Sequence, residues 1–213
     1  LGWMVSVYRF DLAYVHSTIA QYTAKPVRGA VSALTNVFKY VYSTRTFSLF
    51  APINRDDNIF TFYTDADHAA HQTRENCRRS QLGAIMLMNG APIHWKSTVH
   101  TTALSHVALT TTPPVMSVGE SETMALSTGF SSFQHFQFVS EEMNLGGFPM
   151  PIPIATDSTT AEAFAKGTVT RSRLKHIDVR QGWVVALRDN NICKVFHIPG
   201  PTNLADILTK IAN

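Results

Sequence analysis

Asn89-Gly90 stands between two apolar, strand-forming runs, QLGAIMLM at 81–88 and the stretch from Ala91 to Trp95. Asn-Gly suits a two-residue hairpin turn, because both central positions need positive φ. The pair therefore fixes two antiparallel neighbours. A further run, Ile59-Phe60-Thr61-Phe62-Tyr63-Thr64, is rich in aromatic and β-branched residues and ends at Asp65. Three strands around tight turns predict an antiparallel meander.

The pattern then changes period. A helix is predicted from near Glu120, with an apolar face of Ala125, Gly129, Phe133, Phe136, Val139 and Met143 and a stop at Gly146-Gly147. A short strand from Ile152 to Thr156 leads into a helix at 158–166. Another helix is expected from Arg171 to Arg188, a strand from Ile192 to Ile198 and a last helix from about Thr202. Strands in a meander followed by βα alternation indicate an α/β chain with a mixed sheet and packed helices. Residues 98–116 are ambiguous, and Pro113-Pro114 breaks any single element there.

Upstream of the meander, Val27, Ala30, Val31, Leu34, Val37, Phe38 and Val41 form an amphipathic helical stripe, with Pro26 near its start. Asp11 to Tyr22 reads as a shorter helix. The polar stretch APINRDDN at 51–58 reads as a turn or linker. It divides the chain into a helical segment, 1–58, and a mixed-sheet domain, 59–213.

Composition narrows the function classes. Charged residues make up 15% of the 213-residue chain, too few for a disordered charged tail. Cys77 and Cys193, the two cysteines, exclude a disulfide-dense scaffold and a cysteine-rich zinc module; they read as free thiols in a reducing compartment. No apolar run approaches the ~18 residues of a membrane span. The chain opens LGWMVSVYRF without an initiator Met or a leader pattern, as a fragment of a longer chain would. The formal net charge of +3 divides into +3 over residues 1–60, −4 over 61–170 and +4 over 171–213. An acidic centre between basic ends suits a metal-dependent enzyme acting on a polyanion. Ordinary scatter of few charges is the competing explanation.

Four carboxylates occupy informative positions. Asp65 follows the first strand, and Glu122 lies in the first turns of the long helix. Asp157 ends a short strand and opens a helix, and Asp206 lies in the final helix. Strand ends and helix starts converge at one edge of an α/β sheet. Carboxylates gathered there require a hard cation, Mg²⁺ or Mn²⁺. Two such ions suit phosphodiester hydrolysis. Each acid also has a structural explanation: Asp65 as a turn residue, Glu122 as a favourable charge at a helix N-terminus, Asp157 as an N-cap, and Asp206 as a solvated helix residue.

Six blocks in order carry a resemblance. They are YTDADHAAH at 63–71, ENCRRSQLGAIMLMNGAPIHWKS at 75–97, SVGESETMAL at 117–126, IATDSTTAEAFAK at 154–166, LKHIDVRQGWVVALRD at 174–189 and HIPGPTNLADILTK at 197–210. Together they resemble the RNase H domain of copia-type LTR-retrotransposon Pol polyproteins. RFDLAYVHSTIAQYTAKP and the helix after it resemble the segment that joins the polymerase to that domain. The resemblance implies an RNase H-like fold, a five-stranded mixed sheet flanked by helices and preceded by a helical connection segment. It implies two-metal-ion cleavage of the RNA strand of RNA/DNA hybrids, with Mg²⁺ as cofactor and Mn²⁺ as a substitute. It also implies an upstream polymerase domain as partner, no membrane, and a cytoplasmic location, with a virus-like particle or the nucleus as alternatives.

Residue by residue, Asp65, Glu122 and Asp157 match the first three catalytic acids of the family, with Glu120 a weaker candidate beside Glu122. Asp206 is favoured as the fourth because it follows the last strand; Asp178 is the alternative. Arg171, Arg173, Lys175, His176 and Arg180 are the candidates for substrate contact. Trp95 is expected to be scaffold.

Departures accompany the match. His68 stands where the family has Trp, Thr123 replaces Tyr, and Ser158 replaces Asn. The stretch from Trp95 to Glu122 is longer than the family pattern, so 98–116 reads as an insertion. Pro151 and Pro153 are expected to interrupt a strand paired on both edges. Gly129 is expected to weaken its helix by about 1 kcal/mol relative to Ala. These features leave a second expectation open: a decayed or domesticated copy that binds nucleic acid or serves as a scaffold.

Overall fold

The computed structural model describes residues 1–51, 59–71, 79–99, 118–143, 148, 150–168 and 175–211. The amino-terminal part holds α1 (Gly2–Val7), a 3₁₀ turn (Phe10–Leu12), α2 (Ala13–Ala20) and α3 (Arg28–Ser43). The sheet holds β1 (Phe60–His71), β2 (Arg79–Met88), β3 (Ala91–Val99), β4 (Ile152–Thr156) and β5 (Cys193–His197). Around it lie α4 (Val118–Glu142), α5 (Thr159–Ala165) and α6 (Lys175–Asp189). Two 3₁₀ turns, Gly200–Thr202 and Leu204–Leu208, close the chain.

The strands form one five-stranded sheet in the order β3-β2-β1-β4-β5. β1–β2 and β2–β3 are antiparallel, whereas β1–β4 and β4–β5 are parallel. This is the RNase H-like α/β arrangement, as the sequence predicts. Asn89 (φ 53°) and Gly90 (φ 83°) both take the left-handed conformation that the β2–β3 turn needs. The Asn89 side chain accepts from the Ile59 amide at 2.9 Å, and the Ile59 carbonyl accepts from the Asn89 amide at 2.8 Å. The turn is thereby fastened to the start of β1.

Both faces of the meander are covered, which explains the unbroken apolar run of β2. On one face Phe62, Ala84, Met86, Ile152 and Ile154 pack with Leu126, Phe130 and Phe133 of α4, Phe164 of α5 and Val184 and Leu187 of α6. On the other, Ile85 and Leu87 pack with Val5, Leu12, Ala13 and Val37 of the amino-terminal helices and with Ala205 and Leu208. Trp95 is scaffold: its indole N–H donates to the Val5 carbonyl at 2.7 Å and its ring meets Phe10. The helices before residue 51 therefore share a core with the sheet. Residues 52–58 of the linker expected at 51–58 and most of the 98–116 stretch lie outside the described residues.

Three local expectations are corrected. The final helix is not α-helical but two short 3₁₀ turns, separated by Asn203 in an extended conformation (φ −78°, ψ 104°). Pro151 and Pro153 do not interrupt β4. Pro151 precedes the strand, and Pro153 precedes the first β1 partner, where Ile154 pairs with Phe62. Pro153 stays within β4, paired with Lys194 of β5, and the β1 pairing begins one residue later. Finally, Gly129 is a contact point. A Cβ there would lie 2.8 Å from Thr64 Cγ2 and 2.9 Å from Phe62 Cε1. Its absence lets α4 sit down on β1.

Gly129→Ala should therefore destabilise the domain despite the better helix propensity of Ala. Overpacking costs about 1–3 kcal/mol, against a propensity gain of about 1 kcal/mol. Urea unfolding should show a lowered midpoint at unchanged slope; a raised midpoint would mean that α4 can move off the strand.

Candidate active site

Strand pairing sets the centre of the site. The β1–β4 parallel register ends at Thr64↔Thr156, so Asp65 and Asp157 are the next residues of adjacent strands. Thr64 is buried on the α4 side, while Asp65 points to the opposite face. There it meets the second carboxyl-terminal 3₁₀ turn, which carries Asp206. Oxygens of Asp65, Asp157 and Asp206 all lie within 4.8 Å of one another. Asp157 need not serve as a helix cap, because Ser158 does so, its hydroxyl accepting from the Ala161 amide at 3.1 Å.

Glu122 reaches the same neighbourhood from the second turn of α4. A Cβ at Gly119 would collide with Thr160, so this glycine lets the start of α4 lie against the start of α5. Ser121, next to Glu122, is fully buried and hydrogen-bonds His68 Nδ1 and the Ser80 hydroxyl, each at 2.9 Å. His68 thus ties β1 to α4 where the family pattern has Trp.

The electrostatics follow from burial and like charge. Burial, and then the nearby Asp65 and Asp157, push the Glu122 carboxyl up to about 8, with the Ala66 amide and Lys210 pulling the other way. Glu122 Oε2 is buried and has no hydrogen-bond partner among the described residues. Burial likewise lifts Asp65 to about 6, against the Thr209 hydroxyl bond and Lys210, with Asp206 and Asp157 adding to the rise. Lys210 Nζ stands 3.1 Å from Asp206 Oδ1 and 3.9 Å from Asp65 Oδ2. Burial disfavours its charge, but the acids outweigh this and hold its pKa above the ordinary value.

Carboxylate oxygens, a lysine ammonium drawn among them and an orphaned buried Glu122 oxygen fit a divalent-cation site. An all-oxygen donor set selects a hard cation.

Several contributors to this geometry escaped sequence reasoning. Thr209, fully buried, donates its hydroxyl to Asp65 Oδ2. Asn203 donates to Asp157 and caps the turn carrying Asp206. A Cβ at Gly83, opposite Asp65 in the β1–β2 register, would lie 2.8 Å from Thr209 Cγ2 and 3.1 Å from the Ala205 carbonyl oxygen. The available signal was the NLADILTK block itself, which holds a cap residue, an acid and a lysine in eight positions.

The predicted contact residues fare unevenly. Arg171 and Arg173, and the side chains of Glu120, Lys175, His176 and Asp178, lie outside the described residues. Arg180 donates to the Ser127 hydroxyl at 2.8 Å and so links α6 to α4. Asp206, the favoured candidate for the fourth acid, lies with Asp65 and Asp157; the side chain of Asp178, the alternative, is outside the described residues.

Fold and site together define an RNase H-like domain with a carboxylate cluster where the parallel pairing of β1 and β4 ends. No protein-family model matches the chain. It is 29% identical over 204 residues to the retrovirus-related Pol polyprotein from transposon TNT 1-94 of Nicotiana tabacum, covering 95% of this chain and 14% of that protein. It is 27% identical over 210 residues to the transposon Ty1-JR1 Gag-Pol polyprotein of Saccharomyces cerevisiae, covering 95% of this chain and 11% of that one. The chain thus spans about one-seventh or less of these relatives. Among solved structures, LC11-RNase H1 in complex with an RNA/DNA hybrid gives a TM-score of 0.47 at 18% identity, over 70% of this chain and 92% of that one. The foamy viral protease-reverse transcriptase in complex with RNA/DNA hybrid gives 0.37 at 16% identity, over 90% and 28%. The chain is an RNase H-like domain related to retrotransposon Pol polyproteins.

A pH prediction follows for the metal-free protein. Asp65 and Glu122 have folded pKa values above their unfolded ones. Each contributes stability that is full below the unfolded value and is lost as pH rises through the folded one. Melting temperature should fall as pH rises from the unfolded values of about 4, steeply up to about 6 where both groups contribute and less steeply on to about 8 where Glu122 alone does. Glu122→Gln should abolish the fall between about 6 and about 8 and make the lower one shallower. A variant that retains the fall above pH 7 would show that Glu122 is not its source.

Proposed function

We propose that this chain is the RNase H module of a copia-type LTR-retrotransposon Pol polyprotein, cleaving the RNA strand of RNA/DNA hybrids. The observation that carries the reading is the convergence of Asp65, Asp157 and Asp206, with Glu122 buried beside them. The ions would be Mg²⁺, two of them, with Mn²⁺ as a substitute. Residues 1–58 would be the connection to an upstream polymerase domain, with residues 59–213 as the nuclease. Reverse transcription would place the protein in the cytoplasm, in a virus-like particle.

Asp65 and Asp157 would be shared ligands. Asp206 would complete one position, and Glu122 would complete the other and orient the scissile phosphate. Divalent ions held there supply charge that activates water and offsets the charge developing on the leaving oxygen. Water adds its oxygen to phosphorus, the bond to O3′ breaks, and the proton given up by water balances the departing 3′-oxygen. Burial of Asp65 and Glu122 excludes bulk water and strengthens every charge interaction in the site. Discrimination for RNA would come from 2′-hydroxyls in the minor groove of the hybrid. Arg171, Arg173, Lys175 and His176 would meet the backbone, and Arg180 would join them by releasing Ser127.

The test is cleavage of an end-labelled RNA/DNA hybrid in Mg²⁺ or Mn²⁺, with Asp157→Asn alongside. The RNA strand alone should be cut, and the variant should lose about 10²–10³-fold in rate, the scale of removing one stabiliser of developing charge. No cutting by folded protein would favour a non-catalytic, nucleic-acid-binding or scaffold domain.

A further inference from the structure

We propose that Asn203 is a positioning residue that locks the three clustered acids to one another. The inference rests on the metal-site reading above and assigns a role to a side chain outside the acid set.

Asn203 is only 4% exposed and sits between the two carboxyl-terminal 3₁₀ turns. Its side-chain amide serves three segments at once. Nδ2 donates to the Thr64 carbonyl at 3.0 Å, one residue before Asp65. Nδ2 also donates to Asp157 Oδ1 at 3.1 Å. Oδ1 accepts from the Ala205 amide at 3.1 Å, starting the turn that carries Asp206. The partners are 139, 46 and 2 residues away in sequence. One planar group thus fixes the distance from β1 to the end of β4 and to the final turn.

The bond to Asp157 also sets which way that carboxylate faces. With Oδ1 held by Asn203, Oδ2 is the oxygen outside the bond, and it lies where a Cβ on Gly200 would come within 3.3 Å. Without a cation, like-charged oxygens this close repel, and another group must hold them in place. A buried neutral amide donates a hydrogen bond to Asp157 Oδ1 and leaves Oδ2 outside that bond. Outer partners of metal ligands typically alter metal affinity by about 10–100-fold when removed.

Capping and clamping are separable. Asn203→Ser retains an oxygen that can accept from the Ala205 amide. Its single hydroxyl donor cannot serve both the Thr64 carbonyl and Asp157. Three measurements compare it with wild type: Mn²⁺ affinity of the hybrid-free protein, hydrogen exchange over residues 204–210 without metal, and kcat and KM on the hybrid. The expected result is a 10–100-fold weaker Mn²⁺ affinity, faster exchange in that segment, and a lower kcat with KM little changed. Mn²⁺ affinity and exchange both equal to wild type would reduce Asn203 to a cap and overturn the proposal. If the wild type binds Mn²⁺ without cutting the hybrid, the nuclease reading fails while the affinity comparison still decides the role of Asn203. If it binds no Mn²⁺, exchange decides: equal protection overturns the proposal, and faster exchange confined to the segment supports it.

Discussion

The structure turns on the parallel pairing of β1 with β4. Once Thr64 lies beside Thr156, two aspartates must emerge side by side from a largely buried strand edge. Coulomb energy between like charges at such distances is several-fold larger in a protein than in water. The surroundings therefore serve two ends. They must fix the acids in place, and they must tolerate them when no cation is bound.

Fixing falls to the carboxyl-terminal segment. It has no long helix to stiffen it, so it borrows rigidity from the sheet. Gly83 lets it press against β2, and Thr209 and Asn203 bond to the strands. Farther along, Ser97 donates to the Leu208 carbonyl at 2.6 Å, and fully buried Gln81 bonds Ser97 and Ser17 of α2. The amino-terminal helices complete the same core through Val5, Leu12, Ala13 and Val37. Within them Arg9 joins Asp11 and Thr44, binding the 3₁₀ turn to the end of α3. What reads in sequence as a helical connection segment is, in space, the back wall of the segment that carries Asp206.

Legibility in the sequence followed the range of the interactions. The Asn89-Gly90 turn and the strand at 152–156 are local signals and formed where expected; the β-former run before Asp65 also formed a strand, but β1 continues through Asp65 to His71, because its pairing with β2 carries on past that residue. The amphipathic stripe of α3 formed a helix, but only Val37 of it is buried, whereas Val27, Val31 and Phe38 are exposed. The final turns were misjudged because LADILTK has helical spacing, whereas a five-residue turn held by tertiary bonds has no need of α-helical continuity. Gly129 reads as a weak point, yet it is a point of close approach, as Gly83 is; that difference lies wholly in what stands opposite it. Asp65, Glu122 and Asp157 were recognisable from position and resemblance. Asn203 and Thr209 were not, because their partners lie 139 and 144 residues away and no spacing rule reaches that far.

Tolerance of the acids has a thermodynamic consequence for function. With Glu122 pushed up to about 8, its carboxyl is mostly protonated at neutral pH in the absence of metal, while Lys210 partly neutralises Asp65 and Asp206. The metal-free fold is thus stabilised by a proton on Glu122 and an ammonium group beside Asp65 and Asp206. On the proposed reading, cation binding would release that proton and compete with that ammonium, so affinity should be coupled to pH through Glu122. The same burial that makes the empty site costly strengthens the site once charged ligands and cation balance. A mutation that merely relieved the crowding would favour the metal-free fold and weaken the field available to a phosphodiester, the trade expected where stability and activity compete for the same residues.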